Sequence, residues 1–408
     1  MDMTITPGTL TGPITPPPSK SQAHRLIIAA ALAKGESVLS NAAFSQDITA
    51  TLSCMEQLGA EWQDLGDGRL QIRGIPGIGF GEMPRFDCGE SGSTLRFLIP
   101  IALATAGGGV FTGRGRLMAR PQQPYFDIFQ EQGIAYQQTD TALTVTGKLR
   151  PGTFRLPGNV SSQFVTGLLY ALPLLEGDST LLLTSPLESR DYVAMTLDVL
   201  EKSGIRVEQE DFRQFRIPGR QQFLPGTAAI EADWSQAGFW YAAAFLDHPI
   251  QIQGMDPDSA QGDRVVARLY WQLARPGETE IDVSGCPDLV PPLCVMAAFR
   301  SGVTHITNAA RLRIKESDRL TAVTQTLHAM GAHIQELPEG LDITGIPSLA
   351  GGVTVDACND HRIAMMAAIA ATRCQAPVTV QGAECVRKSY PNFWQNLEKL
   401  GGILEEQP

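Results

Sequence analysis

Arg311-Leu312-Arg313-Ile314-Lys315-Glu316-Ser317-Asp318-Arg319 places three arginines, one lysine, one glutamate and one aspartate within nine residues. An apolar run, Leu320 to Met330, follows it. Ser317 and Asp318 are strong N-cap residues, so the charges are read as lying on a loop and the first turn of a helix. A helix N-terminus already carries partial positive charge, and cations clustered there conflict with it unless an anion is bound. Taken alone, the stretch is equally well a solvated turn with local ion pairs.

Working outward, the same arrangement recurs. A polar loop leads into an Ala/Leu-rich helix, then a β-like stretch, a second polar loop, a second helix ending at glycine, and further β-like residues. The first helices of the units are read as His24 to Lys34, Thr94 to Ala106, Gln163 to Glu176, Ser235 to Asp247, Leu289 to Arg300 and Arg362 to Ala376. Several are apolar on most faces, as buried helices are. The second helices end near Gly59, Gly133, Gly204, Gly331 and Gly401, each suited to the residue just past a helix C-terminus. Gly59 to Gly133 is 74 residues, Gly133 to Gly204 is 71 and Gly331 to Gly401 is 70. Gly204 to Gly331 is 127, two units of which one is short. The short one is the fourth: after Leu273 the chain runs through Arg275-Pro276-Gly277 directly to Thr279 to Val283, leaving no room for closing strands. This regularity predicts an α/β fold of six like subdomains, three in each of two domains.

Composition narrows the function. With 408 residues and 43% hydrophobic content the chain can build sizeable cores. A net charge of -11 argues against a broad nucleic-acid surface, so any anion site is a local basic pocket in an acidic protein. Seven scattered cysteines without a C-x-x-C pair predict reduced thiols and a cytoplasmic protein, with no disulfide framework or metal site. Met1 to Leu10 shows no secretory pattern, and no apolar run is long enough for a membrane span.

Polar and charged residues gather where helices begin. They include Lys20, Ser21 and Arg25; Glu90 to Thr94 with Arg96; Arg120; Ser161, Ser162 and Gln163; Ser189, Arg190 and Tyr192; Asp288; and Asn359 to Arg362 with Lys388. Six like units would bring several helix N-termini to bear on one kind of ligand. Lysine and arginine at those ends suit phosphates and carboxylates, which predicts small polyanionic ligands. The plain alternative for Ser19, Ser21, Ser161, Ser162, Asp47, Asp233 and Asp263 is helix capping, and for His24 and His361 a structural role.

These motifs, in this order from about Pro16 to Phe393, resemble those of the 5-enolpyruvylshikimate-3-phosphate synthase family. The resemblance implies a two-domain enolpyruvyl transferase fold with three βαβαββ units per domain. It implies a discontinuous domain (1–18 and 231–408), an inserted domain (19–230), and an active site in the cleft between them. It implies transfer of the enolpyruvyl group from phosphoenolpyruvate to the 5-hydroxyl of shikimate 3-phosphate, with release of phosphate and no cofactor or metal, by a monomer. By the same likeness Ser21, Arg25, Ser161, Ser162, Gln163, Ser189, Tyr192, Asp288 and Lys315 hold shikimate 3-phosphate. Lys20, Gly92, Arg120, Gln163, Arg319, Arg362 and Lys388 hold phosphoenolpyruvate, and Arg96 and His361 match further motif positions.

Addition followed by elimination needs a base at the hydroxyl and an acid at the methylene carbon. Asp288 assisted by Lys315, and Glu316, are the respective candidates. Lys20, Arg120 and Lys388 can stabilise the departing phosphate. Glu90, Arg190, Arg311, the Pro17-Pro18-Ser19 opening of the first motif and the short fourth unit depart from the family pattern. A UDP-N-acetylglucosamine enolpyruvyl transferase is the nearest alternative. It is disfavoured because Lys20 is followed by serine and the loop Gly113 to Tyr125 lacks a cysteine.

Overall fold

The computed structural model describes residues 1–77, 79 and 82–407. Two compact units account for the chain: Met1–Pro17 with Ala232–Pro408, and Pro18–Glu231 inserted between them. The crossings lie one residue from the expected ones. Each unit has its own apolar core. Among the described residues no helix is long and apolar enough to cross a membrane.

The inserted unit holds three helix pairs: α1 (Lys20–Leu32) with α2 (Gln46–Glu56), α3 (Gly92–Thr105) with α4 (Gln123–Gln132), and α5 (Ser162–Ala171) with α6 (Arg190–Lys202). Three four-stranded sheets accompany them on one plan, a parallel pair extended by an antiparallel pair. In the middle one, Arg85–Asp87 lies parallel to Gly108–Thr112, which pairs antiparallel with Ala142–Thr146 and through it with Ala135–Gln138. The first sheet borrows its outer parallel strand, Thr227–Ala229, from the end of the segment, so the unit closes on itself.

The discontinuous unit holds α7 (Trp234–Phe245), α8 (Val266–Leu273), α9 (Val290–Phe299), α10 (Arg319–Ala329), α11 (His361–Ala371) and α12 (Phe393–Lys399). The N-terminal strand Asp2–Thr6 enters the last sheet between Val378–Gln381 and Ile403–Gln407, antiparallel to both. Among the described residues the fourth sheet has two strands, Gly12–Ile14 and Ile250–Ile252. Helices α2, α4 and α10 each pack against a strand of a closing pair. α8 lacks that cover, and Trp271 on it is 69% exposed, touching Tyr270 edge-on.

The buried helices begin earlier than the apolar pattern suggests. Lys20 and Gly92 are the first residues of their helices, because Ser19 and Ser91 cap them. The helix expected to reach Ala376 stops at Ala371, since Cys374–Ala376 pairs with Leu349–Gly351 as a strand. Gly59, Gly133, Gly204, Gly331 and Gly401 all have positive φ, as helix-ending glycines should.

Inside the inserted unit, Pro100 cannot donate to the carbonyl of Arg96 one turn back. The Tyr125 hydroxyl donates to that carbonyl instead, at 2.7 Å. The substitution works only because α5 carries Gly167 there. A methyl at Gly167 would lie 2.3 Å from the tyrosine oxygen and 2.5 Å from the Arg96 carbonyl.

His248 ties the N-terminal segment to α11. Its Nδ1 accepts from the Leu10 N–H at 3.1 Å, and its Nε2 lies 2.7 Å from the Thr372 hydroxyl. A proton on Nδ1 would break the first bond, and burial, followed by the nearby Arg373, pushes the imidazole down to about 4. Its contribution to stability is therefore present above the unfolded value near 6.5 and is lost as pH falls toward 4. Urea midpoints of the wild type should drop across that window, and His248→Gln should flatten the part of the drop that this residue supplies.

Candidate functional site

In the inserted unit, hydrogen bonds sew together the N-terminal halves of the helices. Lys20 on α1 donates to Asp47 on α2 at 2.8 Å. His24 Nδ1 lies 2.7 Å from the Thr51 hydroxyl, which lies 2.7 Å from that of Thr94, and Thr94 donates to Ser91 at 2.7 Å. These contacts run from α1 through α2 to α3. Asp47 is no cap: Ser45 caps α2, and the Asp47 carboxylate holds Lys20 instead.

Arg25 is buried and joins α1 to α5 and α6. It donates to the Thr196 hydroxyl at 2.8 Å, the Ser21 carbonyl at 2.7 Å, the Tyr192 carbonyl at 3.0 Å and the Thr166 hydroxyl at 3.4 Å. Its guanidinium also faces the rings of Phe97 and Tyr192. Every one of these hydrogen-bond acceptors is neutral. Burial consequently pulls the guanidinium down to about 10, against the opposing effect of Tyr170 and Tyr192. A buried cation with neutral partners is half of an ion pair.

A second cluster joins α3, the loop before α4, and α5. Arg96 donates to Gln163 at 2.8 Å and to the Pro121 carbonyl at 3.1 Å, and stacks 4.8 Å from the Phe164 ring centre. Gln163 donates to Ser93 at 3.0 Å. A methyl at Gly92 would lie 2.7 Å from Arg120 Nη1 and 3.5 Å from Gln163 Oε1, so glycine is what lets Arg120 approach the first turn of α3. Ser161 caps α5 and Ser189, buried with φ 52°, precedes α6. Six of the expected residues thus fall into two groups, Ser21, Arg25 and Tyr192 in one and Gly92, Arg120 and Gln163 in the other. Ser161 and Ser162 stand at the start of α5.

In the discontinuous unit the opening stretch becomes a compact ionic cluster. Asp318 caps α10, accepting from the Thr321 N–H, which leaves Arg319 in the first turn. Arg319 is 1% exposed and surrounded by carboxylates. Its Nε and Nη2 reach Asp360 at 3.0 and 3.3 Å, Nη2 also reaches Glu316 at 2.7 Å, and Nη1 reaches Asp288 at 3.1 Å. Burial would lower this guanidinium, but Asp360, Glu316 and Asp288 together raise it above its ordinary value. Arg362 donates to the other Asp288 oxygen at 3.0 Å, to the Asp288 carbonyl at 3.1 Å and to Ser235 at 3.0 Å. Lys315 Nζ lies 3.6 Å from Asp288. Burial lowers Lys315 below the usual lysine range, Asp288 opposing. For Asp288 burial acts upward, yet Arg362, Lys315 and Arg319 outweigh it and hold the carboxyl well below the usual range, with Glu316 opposing them. Lys388 donates to the Asn359 carbonyl at the start of α11.

Sequence reasoning places Asp360 in a polar cluster at a helix start but gives it no role of its own. It is fully buried, caps α11 through the Arg362 N–H, accepts from Ser317 at 3.0 Å and grips Arg319. Its place two residues before Arg362 suits a cap; the grip on Arg319 comes from 41 residues away and leaves no local signal. Thr166 and Thr196, which meet Arg25 from 141 and 171 residues away, leave no local signal either.

Helix N-termini lined with arginine, lysine and serine on two α/β units define a class of protein suited to small anionic ligands. The comparisons narrow it. A family profile for EPSP synthase (3-phosphoshikimate 1-carboxyvinyltransferase) matches residues 5–397. The chain is 45% identical to a 3-phosphoshikimate 1-carboxyvinyltransferase of Clostridium novyi over 427 residues, covering 98% of both chains. It is 46% identical to one of Clostridium acetobutylicum over 420 residues, again 98% of both. Among solved structures it resembles an EPSP synthase from Acinetobacter baumannii, with TM-score 0.79, 24% identity and coverage of 99% of this chain and 100% of that one. It also resembles the enolpyruvyl transferase NikO from Streptomyces tendae, with TM-score 0.80, 19% identity and coverage of 100% and 98%. The chain belongs to the EPSP synthase family and has the enolpyruvyl transferase fold.

Replacing Asp360 with asparagine strips the best-buried anion from Arg319. Asp360→Asn should destabilise the protein by about 3–5 kcal/mol, as breaking a buried pair does, read as a fall in urea midpoint.

Proposed function

We propose that the clusters on the two units are the two parts of one catalytic apparatus for the family's reaction. The chain transfers the enolpyruvyl group of phosphoenolpyruvate to shikimate 3-phosphate, in the pathway to aromatic amino acids. The observation that carries the assignment of sites is Arg25, buried among neutral acceptors and in want of an anion. A phosphate ester held by Arg25 with Ser21, Ser161, Ser162, Gln163, Ser189 and Tyr192 supplies it. Lys20, Gly92, Arg120 and Gln163 from the inserted unit, and Arg319, Arg362 and Lys388 from the other, take phosphoenolpyruvate.

In the chemistry, Asp288 with Lys315 removes the proton of the 5-hydroxyl as its oxygen attacks the enol carbon. Glu316, which has to leave Arg319 and take up a proton first, delivers that proton to the methylene carbon. Phosphate then leaves toward Lys20, Arg120 and Lys388 as Glu316, ionised by the preceding step, takes up a methyl proton and the double bond re-forms. We further assign the protein to the cytoplasm, in line with its free cysteines, and to a monomeric state that light scattering would check.

A coupled assay with both substrates, monitoring phosphate, tests the reading. Tight binding of both ligands by calorimetry without phosphate release would instead mark a binding protein. Glu316→Gln should lower turnover by about 10²–10⁴-fold while shikimate 3-phosphate still binds; wild-type turnover would remove Glu316 from the mechanism. Gly92→Ala should raise the KM for phosphoenolpyruvate, because the new methyl displaces Arg120. Glyphosate should compete with phosphoenolpyruvate, and inhibition indifferent to phosphoenolpyruvate concentration would contradict the placement of Gly92.

A further inference from the structure

The two oxygens of Asp288 are shared between two arginines. Oδ1 takes Arg319 Nη1 at 3.1 Å and Oδ2 takes Arg362 Nη2 at 3.0 Å. One carboxylate thus bridges two guanidinium groups from two helices, the shape a ligand carboxylate would adopt there. The rest of Arg319 is committed, with Nε and Nη2 turned to Asp360 and Glu316. Arg362 is anchored on its other side by the Asp288 carbonyl and Ser235. Removing the Asp288 carboxylate would therefore open one site, two fixed N–H donors spaced for a single carboxylate, with little else moving. Asp288 is also the least deeply buried of the carboxylates on Arg319: its side chain is 19% exposed, against 17% for Glu316 and 0% for Asp360.

A carboxylate gripped by two arginines and a nearby lysine is a poor proton acceptor. Base duty and this position are incompatible. Resting on the assignment of Arg319 and Arg362 to phosphoenolpyruvate, we infer that Asp288 is an internal stand-in for the substrate carboxylate. The incoming carboxylate displaces it from both arginines, and only then does it serve as base. The exchange is carboxylate for carboxylate, so the buried arginines are never left unpaired. The released Asp288 keeps Lys315 within reach and gains the ligand's negative charge as a neighbour, beside Glu316. Loss of the two arginines and the new negative neighbour leave it fitter to accept the hydroxyl proton. Binding and base activation thus become one event, which keeps the base quiet until phosphoenolpyruvate is seated.

Two measurements decide it. Asp288→Asn keeps the shape and removes the charge that competes with the ligand. Calorimetry with phosphoenolpyruvate, alone and with saturating shikimate 3-phosphate, should show the variant binding about 10- to 100-fold more tightly than wild type. Equal or weaker binding by a folded variant overturns the stand-in. Should the variant not fold, the wild-type complex with both substrates decides instead. The Asp288 carboxylate is expected more than about 4 Å from both guanidinium groups, with the substrate carboxylate in its place. A complex in which Asp288 still bridges Arg319 and Arg362 overturns the inference. Phosphate release by the same wild-type preparation separates the two claims: no turnover defeats the enzymatic reading, whereas turnover with an unmoved Asp288 defeats only the stand-in.

Discussion

Arg319 is the constraint around which the discontinuous unit is arranged. A guanidinium taken almost wholly out of water costs several kcal/mol unless its charge and its donors are matched. Asp360, Glu316 and Asp288 together match both. Each of these carboxylates brings its own segment with it. Asp360 fixes the start of α11 and hence Arg362, Glu316 fixes the loop before α10, and Asp288 fixes the turn before α9. The ionic contacts therefore do the work of assembling three helix N-termini, while apolar α9 and α11 supply the burial that makes the contacts strong.

The inserted unit meets the same problem in a different way. Arg25 is as deeply buried as Arg362, but threonine hydroxyls and main-chain carbonyls surround it. Neutral acceptors satisfy its donors without cancelling its charge, so the field around Arg25 remains available to a dianionic ligand such as a phosphate ester. Where the charge is cancelled within the protein, a ligand has to compete; where it is not, a ligand is welcomed. The two units thus differ in the kind of oxygen they place around arginine.

Closure of the fold relies on strands far apart in sequence. Asp2–Thr6 sits inside the last sheet, and Thr227–Ala229 completes the first sheet of the inserted unit. Each unit is closed by joining its first and last segments, so neither can be completed until its whole segment exists. The fourth subdomain does without a closing pair. Its helices α7 and α8 meet through the rings of Tyr241 and Tyr270, and Trp234 stacks on Tyr241.

The sequence by itself determined the mixed α/β character, the buried helices and the helix-ending glycines. All of these follow from local periodicity and from backbone preferences that act within a few residues. It also marked Lys20, Arg25, Arg96, Arg120, Arg319, Arg362 and Lys388, because cations at helix starts are conspicuous against the dipole. Only the tertiary structure decided what those cations touch. That Asp47 holds Lys20 rather than capping α2, that Asp360 grips Arg319, and that Asp288 bridges two arginines are contacts between residues 27 to 74 positions apart. An ion pair depends on distance in space, and one-dimensional spacing carries no information about it until the helices are packed.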